Sequence, residues 1–143
     1  MTIAAILGRK GAEVSTITAD TSVRAAIAIL AERRIGAVPV VEGEGEGVAG
    51  VFSERDVIQG LAGGGELLQR PVSEVMTTPA VTVSPHDSVL GALSLMTQRR
   101  IRHLPVVESG RLVGIVSIGD LVKFRIDHIE AEAAAMRDYI QQA

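Results

Sequence analysis

The sequence predicts an α+β (α/β-like) fold made of two tandem β-α-β-β-α units packed as one pseudo-two-fold module, and three observations carry that prediction. The first is an internal repeat. Arg33-Arg34-Ile35-Gly36-Ala37-Val38-Pro39-Val40-Val41-Glu42 returns 66 positions later as Arg99-Arg100-Ile101-Arg102-His103-Leu104-Pro105-Val106-Val107-Glu108. Over residues 17–42 and their partners, 10 of 26 positions are identical: Ser22, Val23, Ala26, Arg33, Arg34, Ile35, Pro39, Val40, Val41 and Glu42. The second is that Gly50-Val51-Phe52-Ser53-Glu54-Arg55-Asp56 returns as Gly114-Ile115-Val116-Ser117-Ile118-Gly119-Asp120, so both copies also end alike. The third is length. At 143 residues the chain is one domain's worth, and a half of about 60 residues is marginal alone. Two such halves bury their apolar faces against each other.

The elements follow in order. Residues 1–11 open with Met1-Thr2-Ile3-Ala4-Ala5-Ile6-Leu7, too short for a signal h-region with a cleavage site, and read as a short docking helix. The first copy, 12–59, begins with a β-type run from Val14 to Thr18. Ser22 then caps a helix whose Val23, Ala26, Ile27 and Leu30 share one face. Arg33 and Arg34 close it, where cations suit the C-terminal dipole. A strand from Ile35 to Val41 contains Pro39, which places it at a sheet edge or beside an opening. Glu42 to Gly47 is a solvated hairpin tip, Val48 to Phe52 the third strand, and Ser53-x-x-Asp56 opens the last helix.

Residues 60–74 form a linker, flexible over Gly60 to Gly65, with order resuming at Pro71. The second copy, 75–125, repeats every signal: Ala80 to Ser84, the cap Ser88, the face Val89, Ala92, Leu93 and Met96, the pair Arg99-Arg100, the strand Ile101 to Val107, the turn Ser109-Gly110, the strand Leu112 to Val116, and Ser117-x-x-Asp120. Residues 126–143 extend the chain as a helix. Ile126, Ile129, Ala133, Met136 and Ile140 make one apolar stripe on it, which packs either within the chain or on a partner subunit.

Composition narrows the function. Hydrophobic residues are 47% and aromatic residues 2%, so the core is aliphatic and any flat ligand ring is gripped by aliphatic side chains. A net charge of -3 gives no field that draws nucleic acid non-specifically. Zero cysteines exclude disulfides, thiolate zinc sites and a cysteine nucleophile. No apolar run reaches the roughly 20 residues of a membrane span. The expectation is a soluble, cytoplasmic protein without nucleic-acid or membrane partners.

The repeated Gly-h-h-Ser-x-x-Asp, at a strand-to-helix junction, has two readings. Ser-x-x-Asp is a capping box that closes a helix start. It is also a place where free helix amides suit an anion and a carboxylate suits a vicinal diol, the two ends of a ribonucleotide. Arg102 and His103 sharpen the second reading, since they stand where the first copy has Gly36 and Ala37. Polar groups at one of two matched positions suggest two sites with different tasks, and these two suit phosphate.

The sequence of β-α-β-β-α halves, h-Pro-Val-Val and Gly-h-h-Ser-x-x-Asp resembles the cystathionine-beta-synthase (CBS) domain, and the two copies resemble a CBS pair, or Bateman module, over roughly residues 12–125. Val75-Met76-Thr77, Arg102-His103-Leu104-Pro105-Val106 and Val116-Ser117-Ile118-Gly119-Asp120-Leu121-Val122 are similar to stand-alone members. The resemblance implies two clefts for adenosyl ligands: AMP first, then ATP or ADP, NAD or S-adenosylmethionine. Each cleft mixes the copies. Site one is expected to hold Ser53, Arg55 and Asp56 with Pro79, Ala80, Val81, Arg102, His103 and Leu104. Site two is expected to hold Ser117 and Asp120 with Val14, Thr16, Gly36, Ala37 and Val38, and lacks the phosphate cations of site one. The implied function is a non-catalytic adenine-nucleotide sensor, a homodimer acting on an effector protein. The alternatives are a structural dimerisation module and, last, a nucleotide hydrolase.

Overall fold

A computed structural model describes residues 1–43 and 47–142. Half of the expected hairpin tip Glu42 to Gly47, residues 44–46, lies outside the described residues. Helix α1 (Ile3–Lys10) leads into the first half: β1 (Ile17–Thr18), α2 (Val23–Arg33), β2 (Ala37–Glu42), β3 (Gly47–Ser53) and α3 (Glu54–Ala62). The second half holds α4 (Val89–Arg99), β4 (His103–Glu108), β5 (Arg111–Ser117) and α5 (Ile118–Gln142).

The helices start where the serines place them. Ser22 Oγ accepts from the Ala25 amide at 3.1 Å and Ser88 Oγ from the Gly91 amide at 2.9 Å. Each of α2 and α4 ends on an arginine in the left-handed region, Arg34 at φ 55° and Arg100 at φ 56°, so the double arginine supplies both the last turn and its cap. The expected faces point inward: Val23, Ala26 and Leu30 are buried, as are Val89, Ala92 and Met96.

Strands β2 and β3 pair antiparallel from Ala37↔Ser53 to Glu42↔Gly47, and β4 and β5 match them from His103↔Ser117 to Glu108↔Arg111. Ser109 and Gly110, both at positive φ, make the two-residue turn that such a hairpin favours. The prolines depart from expectation in part. Pro39 is not on an edge strand, because β2 is the middle of β1-β2-β3, and β4 is flanked by β5 and by a parallel bridge from Val83 to Val106. The ladder explains the tolerance. Val83 donates to the Pro105 carbonyl (3.0 Å) and accepts from the Val107 amide (2.8 Å). The amide that Pro105 lacks is the one that would reach back to Val81. Parallel pairing stops there, so the runs 14–18 and 80–84 yield only two paired residues and one bridge. Val81 is left free for an opening.

The segment before each half packs on the other half. Ile3 and Ile6 of α1 are buried with Val89, Met96, Leu104, Val116 and Leu121 in the core of the second half. Leu67 and Val72, from the stretch expected as a linker, are buried with Val23, Leu30, Val40 and Phe52 in the core of the first. Backbone bonds mirror the exchange: Ile3 amide to Asp87 carbonyl and Val89 amide to Met1 carbonyl on one side, Val23 amide to Arg70 carbonyl and Val72 amide to Thr21 carbonyl on the other. Two glycines admit the crossing arms. A Cβ on Gly50 would lie 2.6 Å from the Thr77 carbonyl oxygen, and one on Gly114 would lie 2.7 Å from Leu7 Cδ2. Gly60 also departs from the flexible reading, since it lies inside α3.

The C-terminal extension is continuous with the last helix of the second copy, giving the 25-residue α5. Its stripe does not pack within the chain: Ile126, Ile129, Met136 and Ile140 are all exposed.

Candidate functional site

The two matched positions meet across the pseudo-two-fold axis. A Cβ on Gly36 would lie 3.0 Å from His103 Cε1, so the imidazole of one copy takes the space that the missing side chain of the other leaves. The antiparallel registers set Ala37 opposite Ser53 and His103 opposite Ser117, which brings both proline-strand starts and both helix starts to the same middle level. The Glu54 amide donates to the Gly36 carbonyl at 3.0 Å and the Ile118 amide to the Arg102 carbonyl at 2.8 Å. These bonds tie the first residue of each final helix to the strand start of its own copy.

A cleft of about 330 Å³ opens at this level. The first half contributes Gly36, Ala37, Val51, Ser53, Glu54, Arg55 and Ile58; the second contributes Thr77, Ala80, Val81, Ile101, Arg102 and His103. Of the residues expected at site one, Ser53, Arg55, Ala80, Val81, Arg102 and His103 line it together. Leu104 does not, being fully buried in the core of the second half. Pro79 is exposed after a cis Thr78–Pro79 bond and lies outside the lining. Asp56 is also outside it. Its carboxylate is 4% exposed and accepts from the Ser53 amide (2.9 Å), the Ser53 hydroxyl (3.2 Å) and the Thr77 hydroxyl (2.9 Å). Thr77 thus stands between the cleft and the aspartate.

Gly36 and Ala37, expected at site two, line this cleft instead, because the chain brings them against His103. Val38 is buried in the core of the first half. Ser117 and Asp120 form a capping box, with the Ser117 amide 2.8 Å from Asp120 Oδ2 and the Asp120 amide 3.1 Å from Ser117 Oγ. Asp120 has an additional partner from α1: Lys10 Nζ lies 2.7 Å from its Oδ2 and 2.9 Å from the Ile115 carbonyl oxygen. Val14 and Thr16 do not line the cleft that the first Ser-x-x-Asp borders. The side that the sequence left without a cation therefore has one at its aspartate, delivered by the exchanged arm.

Partial burial of Asp120 works to raise its pKa, but the hydrogen bond from Lys10 and those from Ser117 outweigh it and hold the carboxyl below its ordinary range. For His103 burial dominates and pushes the imidazole below 6.5, against the pull of Glu54 and Asp120, with Arg102 and Lys10 adding to the lowering. At neutral pH the ring is neutral. The fixed cations of the cleft are Arg55 and Arg102, opposed by Glu54, and His103 is not the standing phosphate cation that the sequence suggested.

Sequence reasoning missed Val51, Glu54, Ile58, Thr77 and Ile101. Two carried a signal: Ile58 lies one turn beyond Arg55 on the same helix face, and Thr77 follows the Val75-Met76 pair that opens the second copy.

Fold and cleft together define a class: a single chain of two homologous halves that exchange arms and share a ligand-sized opening between them. The model of the CBS domain matches residues 11–63 and again 72–127, and the chain belongs to that family, with both domains in one polypeptide. It is 37% identical over 123 residues to the CBS domain-containing protein YhcV of Bacillus subtilis, covering 85% of this chain and 86% of YhcV. Among solved structures it is similar to the CBS-domain containing protein ATU1752 of Agrobacterium tumefaciens (42% identity, TM-score 0.82, 87% of this chain and 92% of that one). It is also similar to the CBS domain protein PAE2072 of Pyrobaculum aerophilum, complexed with AMP (28% identity, TM-score 0.75, 84% and 89%). Among the described residues no helix is long and apolar enough to cross a membrane.

Proposed function

We propose that this chain is a non-catalytic regulatory module that binds AMP in the cleft between its halves and passes the effect to an effector protein, as a pair with a second copy of itself. The observation that carries the reading is the cleft itself: it is built from both halves, lined largely by aliphatic side chains, and bears two arginines, Arg55 and Arg102. The volume lies at the lower end of the about 300–1,000 Å³ typical of small-molecule sites, which suits a mononucleotide better than a dinucleotide. Val51, Ile58, Val81 and Ile101 would hold the adenine, in keeping with the 2% aromatic content. The guanidinium groups and the start of α3 would take the phosphate. The AMP complex of PAE2072 supports this choice of ligand.

The ribose diol would reach Asp56 by taking the place of the Thr77 hydroxyl, exchanging one hydrogen bond on the carboxylate for another. A ligand bridging the halves shifts their arrangement only by its differential affinity for the two states. Site two takes no nucleotide in this reading, because a diol there would have to displace the Lys10 ammonium from Asp120. Titration calorimetry with AMP should give one site per chain. Arg102→Ala should weaken it about ten- to a hundredfold, the loss of a charge-assisted bond, and AMP recovered afterwards should be chemically unchanged. No binding to a nucleotide-free protein, or an isotherm indifferent to Arg102→Ala, would refute the assignment. Conversion of AMP would favour the hydrolase reading.

A further inference from the structure

The exposed stripe of α5 has a partner whose chemistry can be read from the helix. Val122, Ile126, Ile129, Ala133, Met136 and Ile140 are spaced 4, 3, 4, 3, 4, the alternation of a two-stranded coiled-coil seam. The side chains that hold α5 to its own body, Leu121 and Phe124, lie on another face. Arg9 reinforces that attachment, with its guanidinium 5.6 Å from the Phe124 ring and 3.6 Å from Asp127. The seam is therefore turned away from the body, with Val122, Ile126, Ile129, Met136 and Ile140 between 42% and 64% exposed.

The residues flanking the seam choose the partner and its direction. With Ile126, Ala133 and Ile140 at the first apolar position of each heptad, Arg125 and Glu132 precede the seam and Glu130 and Arg137 follow it. In a parallel, in-register pair, a flanking residue meets the one five positions later on the other helix. Arg125 then faces the partner's Glu130, and Glu132 faces the partner's Arg137: opposite charges both times, doubled by symmetry. An antiparallel pair centred on the stripe would set Lys123 against Arg137 and Glu130 and Glu132 against their own copies, all repulsive. We infer that residues 122–140 of α5 form a parallel coiled coil with the same segment of a second copy of this chain. The seam spans fewer than three heptads, so the pair dissociates on dilution. This deepens the homodimer reading proposed above.

The chain has no cysteine, which allows a direct test. Ile140→Cys should form a disulfide between identical positions under mild oxidation, because an antiparallel pair would set residue 140 opposite 122 instead. In sedimentation equilibrium the parent should be a dimer at high concentration. Ile129→Asp should make it monomeric, Glu130→Arg should weaken it roughly tenfold, and Arg125→Glu added to Glu130→Arg should restore it; circular dichroism checks that each variant is folded. A dimer that survives Ile129→Asp without the 140–140 disulfide overturns the coil while leaving a homodimer through another face. A monomer at every concentration overturns both. Failure of Arg125→Glu to rescue overturns the parallel direction.

Discussion

Replacing Asp56 by alanine should cost more stability than replacing its counterpart Asp120, although both occupy the last position of the same repeated motif. Asp56 is 4% exposed and its carboxylate accepts three hydrogen bonds, two of them at 2.9 Å. Bonds to an ionised group are worth about 1.5–3 kcal/mol each, and their loss strands the Ser53 amide, while the hydroxyl of the exposed Thr77 turns to water. Taking the two short bonds at the low end gives about 3 kcal/mol. Asp120 keeps a quarter of its side chain in solvent; its Lys10 pair is a surface pair of about 1 kcal/mol at most. With the Ser117 amide, counted at the same low end of about 1.5 kcal/mol, the total is at most about 2.5 kcal/mol. At about 3 °C of melting temperature per kcal/mol for a chain of this size, the expected losses are about 9 °C for Asp56→Ala and at most about 7 °C for Asp120→Ala. Urea and thermal unfolding of ligand-free protein at pH 7.5, followed by circular dichroism, measures both. Equal losses, or a larger one for Asp120→Ala, would refute the claim that the first carboxylate is a buried clasp between the halves.

Two further predictions rest on neighbouring features. Gly50→Ala should destabilise by about 1–3 kcal/mol, since its Cβ meets the Thr77 backbone oxygen, whereas Gly114→Ala should cost under about 1 kcal/mol, since the atom in the way is the rotatable end of Leu7; urea midpoints at constant slope compare them. His103, held below its ordinary pKa of 6.5, resists protonation in the folded state. Its contribution to stability is complete above pH 6.5 and is lost as the pH falls through 6.5 toward the folded value. His103→Gln should therefore flatten the decline in melting temperature between pH 7.5 and 5, and a parallel decline in both proteins would assign the dependence to other groups.

The repeat made the fold legible, because Ser22 and Ser88, the double arginines and the paired Val-Val strands are local signals that need no partner to be interpreted. The cleft was legible where it is made of such signals: Ser53 and Arg55 at a helix start, Arg102 and His103 at a strand start. Legibility failed where the answer depended on which segment of chain arrives from elsewhere. Nothing local says that Lys10 will reach Asp120, that Gly36 will sit under His103, or that Thr77 will screen Asp56 from the cleft. The proline rule failed only in its edge alternative, for a related reason, since Pro39 loses an amide on one side only and a central strand survives that loss where the neighbouring strand is already ending. Burial holds His103 below its ordinary pKa and so disfavours the charged form that a phosphate contact would use, which a reading by residue type could not weigh.

The crossed arms bear on how the chain folds. Met1 to Leu7 find their place against Asp87, Val89, Gly114 and Leu121, so they wait for segments made much later before they are buried. The reverse crossing is short-range, with residues 67–76 closing over the first half as soon as they emerge. The first half can therefore complete its core during translation, while the second must recruit a segment more than eighty residues upstream. Closing so long a loop slows folding. It also means that a chain shortened by ten residues at its start loses the lid of its far half, and that two chains caught incomplete can trade α1 helices in place of keeping their own.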